Sequence, residues 1–171
     1  MGRSASLGDS LAVGVLATLT MDAAFVAMDR LGGPPWRSDK TAPDLVGRWA
    51  AGLARGRFRH DDIALGPRVP GEVALGLATH YLTGVALSWL YFTLLRRCGL
   101  KPSLPLAVGF GAASTLLPLL VLHPSYGYGC CARRTGESAR IEKIIFSGHV
   151  VFGAGIGVWS AVLRRARRST A

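Results

Sequence analysis

Charged residues are scarce in this sequence and almost absent from long parts of it. Only 18% of the 171 residues are charged, whereas 50% are hydrophobic and the mean hydropathy is +0.33. A water-soluble domain usually carries about a quarter charged residues. The scarcity is concentrated in four runs of about 19–23 residues with at most one ionisable side chain each: 10–28, 73–95, 104–122 and 144–163. Each run, as a helix, is long enough to cross the roughly 30 Å of hydrocarbon in a bilayer.

Four such runs predict an all-α, polytopic integral membrane protein, with a single membrane domain over residues 1–171. The runs lack the polar faces that a soluble helical bundle needs. The first run is not expected to be a cleaved signal peptide, because it is long, contains Asp22 and precedes no small-residue cleavage site. The expected transmembrane helices are about 10–30, 72–95, 104–122 and 144–163.

Cysteine is also rare, and its spacing excludes the common thiol sites. The chain has three cysteines, Cys98, Cys130 and Cys131. Adjacent cysteines seldom form a relaxed disulfide, because the geometry is strained. No CxxC spacing occurs, so neither a zinc site nor a redox thiol site is expected from the cysteines.

Positive charge, by contrast, is abundant, with 20 Lys and Arg against 10 Asp and Glu. Arg96 and Arg97 follow the second run, and four arginines within 164–168 follow the fourth. Basic residues at the ends of spans typically meet anionic lipid headgroups. No nucleic-acid recognition motif accompanies them. Membrane lipid, and not nucleic acid, is therefore the expected partner.

Four spans place both termini on one side of the membrane, together with the short turn 96–103. The loops at about 30–70 and 123–143 lie on the other side. The basic residues near the termini are almost unopposed by acids and adjoin the spans, where the positive-inside rule is strongest. We therefore expect both termini in the cytoplasm.

The first long loop contains a dense run of charge, RGRFRHDDI at 55–63. Before it, Pro43 suits the first turn of a helix, and Leu45, Trp49 and Leu53 recur at helical spacing. This pattern predicts a short interfacial amphipathic helix over about 43–54. The charged stretch follows it and is expected at the mouth of a site, with Arg57 and Arg59 pointing the same way.

Three ionisable side chains interrupt the apolar runs: Asp22, His80 and His149. Each lies six to eight residues from the end of its span, roughly 9–12 Å below the same membrane face. Ionisable groups inside a membrane are expensive and by default mark function. The alternative is that they hydrogen-bond to one another and hold the helices together.

Small residues share a helix face with these groups, and helices approach closely along such faces. We therefore predict a polar pocket that opens toward the long loops. The stripes are Gly14, Thr18 and Asp22; Glu72, Gly76, His80 and Gly84; Gly111, Thr115, Leu119 and His123; and His149, Gly153, Gly157 and Ala161.

The segment HPSYGYGCCARRT at 123–135 follows the third span. Gly127 and Gly129 permit positive φ, so backbone N–H groups can turn toward a ligand. Arg133 and Arg134 suit the binding of an anion such as a phosphate or carboxylate. The alternative is a tight interfacial turn with arginines directed at lipid.

Short motifs occur along the chain: GRW at 47–49, RGRFRHDDI at 55–63, PGE at 70–72, HY at 80–81, HPSYGYG at 123–129, ARRT at 132–135 and HVVFG at 149–153. Together they resemble a domain-of-unknown-function family of small bacterial integral membrane proteins, some of which carry a permease label. The resemblance covers nearly the whole chain, except the C-terminal RRARR. It implies a four-helix membrane fold and no established activity, and the expected location is the bacterial inner membrane.

A membrane-embedded enzyme acting on a lipophilic, anionic-headed small molecule is the first functional hypothesis. Its acid–base groups, whose pKa values a low-dielectric pocket can tune, would be Asp22, Glu72, His80 and His149. Substrate binding would fall to cationic and imidazole side chains near the loops. These are Arg48, Arg57, Arg59, His60, His123, Arg133 and Arg134.

A divalent metal is a weaker expectation for the same site. His80, His123 and His149 with a carboxylate would make a sound zinc ligand set. No HExxH-like local spacing supports it. No cofactor is therefore assigned.

Two other functions stay open. A proton-linked transporter would use the intramembrane Asp and His groups, but four helices are few for a pathway, so it would act as a homo-oligomer. An accessory membrane subunit would bind a partner helix along small-residue faces such as Gly153-xxx-Gly157.

Overall fold

The computed structural model describes residues 7–31 and 38–169, all in helices, turns and loops, with no strand among them. Four helices are long and apolar enough to cross a membrane, which is consistent with a multi-pass membrane protein. The α-helices are α1 Leu7–Arg30, α2 Pro43–Leu53, α3 Glu72–Arg97, α4 Leu104–Ser114, α5 His123–Ser125 and α6 Ser138–Ser169.

The third span continues beyond α4 to Ser125 through a π-helical turn, Pro118–Leu122. Proline has no N–H group, so Pro118 cannot complete the hydrogen bond to the carbonyl four residues earlier. The turn widens instead, and the N–H group of His123 donates to the Pro118 carbonyl. A π-bulge of this kind is often found at functional sites.

The four long apolar helices predicted from the sequence are confirmed, but some of them end at other residues than predicted. The helix expected over about 43–54 is α2, which starts at Pro43. The fourth span is longer than its apolar run of 144–163, because α6 extends over 32 residues. Its extra turns are polar, and hydropathy alone cannot separate such turns from loop.

By internal contacts the chain divides into two compact units. Among the described residues, unit 1 comprises 7–27, 81–114 and 148–169. Unit 2 comprises 28–31, 38–80 and 115–147. α1, α3 and α6 contribute residues to both units.

Unit 1 is held by close contacts between helix backbones. A Cβ atom placed on Gly14 would lie 2.6 Å from Val85 Cα, and one on Gly111 would lie 2.8 Å from Gly153 Cα. Only glycine allows such approach, so the predicted small-residue stripes on these helices are confirmed as contact faces. The apolar core of the unit is Val13, Ala17, Tyr91, Phe92, Leu95, Ala107, Phe152 and Ile156.

Unit 2 packs α2 against the start of α3, and its loops enclose a second core. A Cβ atom on Gly47 would collide with the Glu72 carbonyl, and one on Gly76 would collide with the Pro43 carbonyl. The two helices therefore cross at glycines. The core is Leu45, Ile63, Tyr126, Tyr128, Ala132 and Ile141.

Candidate functional site

A buried ion pair joins α2 to the first turn of α3 in unit 2. Arg48 Nε donates to Glu72 Oε2 at 3.0 Å, and Arg48 Nη2 donates to Glu72 Oε1 at 2.9 Å. Glu72 Oε2 also accepts from the N–H group of Val69 at 2.9 Å. The hydrogen bond to Glu72 raises the pKa of Arg48. This bidentate geometry is the strong form of the arginine–carboxylate contact.

Arg48 also holds the loop that follows the charged stretch. Its Nη1 donates to the Ile63 carbonyl at 2.7 Å and reaches the carbonyls of Ala64 and Gly66 at 3.4 and 3.3 Å. The guanidinium and the Glu72 carboxylate are thus occupied by protein groups. This arrangement favours a structural role for both, where the sequence had indicated catalysis for Glu72 and substrate binding for Arg48.

The stretch RGRFRHDDI is fastened to the turn at 123–128 through its backbone. The N–H group of His60 donates to Ser125 O at 2.8 Å, and that of Ile63 donates to Tyr126 O at 3.0 Å. Gly127, with φ of +90°, lies so close to the Asp61 carbonyl that a side chain there would collide with it. Two motifs far apart in sequence therefore form one loop assembly.

Of the five arginines predicted to bind substrate, the four other than the buried Arg48 lie on the outside of unit 2. Arg57, Arg59, Arg133 and Arg134 are exposed, so they are accessible to anionic groups. Phe58 between the first two is 43% exposed. His60 is partly buried.

Beneath this surface lies a buried polar cluster of His123, Tyr126 and Tyr128. The ring centroids are 6.5 Å apart for His123 and Tyr126, 6.2 Å for His123 and Tyr128, and 5.7 Å for the two tyrosines. Among the described residues, His123 Nδ1 and both hydroxyls have no hydrogen-bond partner. Burial raises the pKa of both tyrosines, so they stay neutral near pH 7.

Unit 1 contains two hydrogen-bonded pairs of ionisable or hydroxyl side chains. The hydroxyl of Tyr81 donates to Asp22 Oδ2 at 2.9 Å. Ser114 Oγ lies 2.7 Å from His149 Nδ1 and donates to the Gly111 carbonyl at 2.7 Å. When Ser114 donates to Gly111, its Oγ accepts from the Nδ1–H group of a neutral His149, and Nε2 is then the basic atom.

The two pairs lie at one level of unit 1. A Cβ atom on Gly148, the neighbour of His149, would lie 2.8 Å from Phe25 Cζ and 3.3 Å from Met21 Sδ. Those side chains flank Asp22 on α1. The packing of α1 on α6 therefore brings Asp22 and His149 to a similar depth. His80 belongs to unit 2.

The metal-binding hypothesis gains no geometric support. Among residues 7–31 and 38–169, no group of three or more His, Cys, Asp or Glu side chains is placed to hold a metal ion. The candidate ligands His80, His123 and His149 are thus not gathered into such a group.

Two cavities open on the described surface of unit 1, and none of the predicted site residues lines either. One of about 460 Å³ is lined by Ala161, Arg164, Arg165 and Arg168. The other, of about 400 Å³, lies between α1 and α3 and is mostly apolar.

Comparison with known proteins supplies the family. The model of a family described as a protein of unknown function, DUF2938, matches residues 11–163. The chain belongs to the DUF2938 family. No curated protein and no solved structure matches it.

In this DUF2938 chain, Tyr81 and Ser114 are the site residues that sequence reasoning missed. Tyr81 follows His80 in the HY motif, but the pattern does not reveal that its hydroxyl reaches α1. Ser114 lies one turn after Gly111, so the small-residue stripe could have indicated that it faces α6. Only the register of the two helices pairs it with His149.

Proposed function

We propose that this DUF2938 protein is a membrane-embedded enzyme that acts on a lipophilic, anionic-headed substrate by acid–base chemistry. The observation that carries the proposal is the pair of hydrogen-bonded groups, Asp22 with Tyr81 and His149 with Ser114, at one level of an apolar helical unit. Proton-transfer groups are costly in such surroundings, and they are retained where chemistry or transport needs them.

The chemistry expected at this site is proton transfer to and from a bound lipid-like molecule. His149 Nε2 would take a proton from the substrate, while Ser114 holds the imidazole in the required tautomer. The Tyr81 hydroxyl, which donates to Asp22 Oδ2, would orient the Asp22 carboxyl group, and in its protonated form that group would donate a proton to a developing negative charge. His149 and Asp22 are thus the proposed catalytic residues, and Ser114 is a positioning residue.

The exposed arginines of unit 2, Arg57, Arg59, Arg133 and Arg134, are proposed to bind anionic headgroups. Arginine binds phosphate and carboxylate through two parallel hydrogen bonds, which lysine cannot reproduce. Glu72 and Arg48 are left out of the chemistry, because each is occupied by the other.

The membrane and orientation are part of the proposal. The chain would reside in the bacterial inner membrane with both termini in the cytoplasm, as the excess of basic residues at the end of α6 favours. Reporter fusions after Arg97 and after Ala171 should report the same, cytoplasmic side. Reporters on opposite sides would contradict the layout.

The enzymatic proposal is tested by comparing lipids from cells that express the wild type, Asp22→Asn or His149→Gln. A lipid species should change in abundance with the wild type, and each variant should abolish the change. Purified protein in nanodiscs should then convert that lipid, with turnover reduced by about 10²–10⁴-fold in the variants.

Thr20→Ala is the matched control. It removes another interhelical hydrogen bond of unit 1, from Trp159 Nε1 to Thr20 Oγ1 at 3.0 Å, without touching an acid–base group. It should retain turnover. Equal lipid profiles in all strains, or equal turnover by His149→Gln and Thr20→Ala, would overturn the proposal.

A further inference from the structure

Two of the three cysteines lie side by side on the surface of unit 2. Cys130 is exposed and Cys131 is partly exposed, and their Sγ atoms are 3.7 Å apart. Both are free thiols. They form the 3₁₀ turn Cys130–Ala132, which directly follows the buried tyrosine Tyr128 and Gly129. The proposed acid–base groups of unit 1 do not involve this turn.

The backbone of this turn is strained, and the surrounding structure holds it. Cys131 and Ala132 have φ of +54° and +56°, a left-handed conformation that costs a non-glycine residue about 1–3 kcal/mol. Ala132 is fully buried in the core of unit 2. The N–H group of Arg134 donates to Tyr128 O at 2.9 Å, and that of Arg133 donates to Cys130 O at 3.2 Å. These contacts hold the turn that brings the two sulfur atoms together.

The spacing of the two sulfur atoms allows one atom to bind both. The sulfurs are 3.7 Å apart, which is a non-bonded contact, and a disulfide between adjacent cysteines is strained. An atom bonded to both sulfurs at about 2.3 Å would make a sulfur–atom–sulfur angle of about 107°. A bridging atom can therefore bind both sulfurs with little movement of either side chain.

We propose that Cys130 and Cys131 form a vicinal dithiol site that binds a soft, thiophilic centre of the trivalent-arsenical class through both sulfurs. Thiolates are the preferred protein ligands of soft centres. No third His, Cys, Asp or Glu among the described residues joins them, whereas structural zinc sites and iron–sulfur clusters use four protein ligands. A centre that carries an organic substituent and needs only two protein ligands fits this donor set.

The binding step is an exchange of ligands without oxidation or reduction. An organic arsenical in water carries two hydroxyl groups on arsenic. Each thiol forms one arsenic–sulfur bond, one arsenic–oxygen bond breaks, and the thiol proton leaves with that oxygen as water. Two water molecules are released in total, and arsenic stays trivalent.

The test uses phenylarsine oxide and the full-length protein in detergent or nanodiscs, with intact mass spectrometry as the readout. The wild type should form one adduct, stable to gel filtration, which a small dithiol removes and a monothiol does not. Cys130→Ser and Cys131→Ser should each weaken binding by roughly 100-fold or more, because an arsenical bound to one sulfur no longer meets a second thiol at high effective concentration.

Cys98→Ser is the matched control, since Cys98 is an exposed free thiol in unit 1. It should bind the arsenical as the wild type does. Loss of the adduct in Cys98→Ser, or its retention in Cys130→Ser, would overturn the proposal. Cys130 is exposed, so Cys130→Ser should unfold at the wild-type temperature, which separates lost binding from lost folding.

Discussion

The two units differ in how they accommodate polar groups. Unit 1 places few polar side chains on apolar helices and joins them across helices, as in the contacts of Tyr81 with Asp22 and Ser114 with His149. Unit 2 concentrates charge in loops and neutralises it locally through Arg48 and Glu72. The contrast teaches that dense charge does not by itself mark reactivity. The hydrogen-bonded pairs of unit 1 are the better candidates for chemistry.

The largest effect is expected from breaking the ion pair of unit 2. Glu72→Gln leaves the Arg48 guanidinium, which is only 6% exposed, without its bidentate partner. Removing one member of a buried pair typically costs about 3–5 kcal/mol. Unfolding in mixed micelles with increasing SDS should show this loss of stability.

The exposed pair Arg140–Glu137, whose side chains are 43% and 42% exposed, is the control for that experiment. Arg140→Gln should cost less than about 1 kcal/mol. If both variants were equally stable, the ion pair would not be what holds α2 on α3, and Glu72 would again be available for a catalytic role.

Glycine contacts should give the next largest effect, and they test both units. Gly76→Ala in unit 2 and Gly111→Ala in unit 1 each force a Cβ atom into a facing backbone carbonyl, at an expected cost of about 1–3 kcal/mol. A Cβ atom placed on Gly109 would meet no neighbouring atom within 4 Å. Gly109→Ala should therefore be neutral or stabilise the helix by up to about 1 kcal/mol. If Gly109→Ala were as destabilised as the other two variants, close contact with a facing backbone would not be the reason for their loss of stability.

The sequence predicts the helices because bilayer thickness dictates the length of an apolar run. It also predicts which faces meet, since Gly14, Gly76 and Gly111 recur at helical spacing with polar groups. It could not assign the partners. Glu72 looked like an isolated acid at a helix entrance, and its partner Arg48 is 24 residues earlier. Pairing across elements depends on register, which composition and periodicity do not encode.

A smaller effect on stability is expected from the pairs of unit 1. Ser114→Ala and Tyr81→Phe each remove one hydrogen bond between helices, typically worth about 0.6 kcal/mol in membrane proteins. If Ser114 positions His149, turnover of the lipid that the wild type converts should fall about 10–100-fold, and the pH profile of that turnover should shift. Unchanged turnover and pH profile in Ser114→Ala would reduce the contact to helix packing.

The smallest effect near neutral pH is expected at the buried tyrosines of unit 2. The hydroxyls of Tyr126 and Tyr128 have no partner among the described residues, so replacing both by Phe should change stability little between pH 7 and 9. Burial raises the pKa of both phenols. Above about pH 10 the unfolded chain loses these protons while the folded chain keeps them.

The sign of the pH dependence follows from that difference in bound protons. Because the folded state holds more protons, stability of the wild type must fall as pH rises through and beyond about 10. The Tyr126→Phe/Tyr128→Phe variant lacks both groups and should fall less steeply, so it becomes the more stable protein at high pH. Absorbance at 295 nm measures the ionisation of the tyrosines, and unfolding in the same micelles measures the stability of each protein at each pH. The contrary result is a phenolate signal near pH 10 in the folded wild type that is absent from the double variant. It would show that these tyrosines are accessible to solvent and that the polar cluster of unit 2 is not buried.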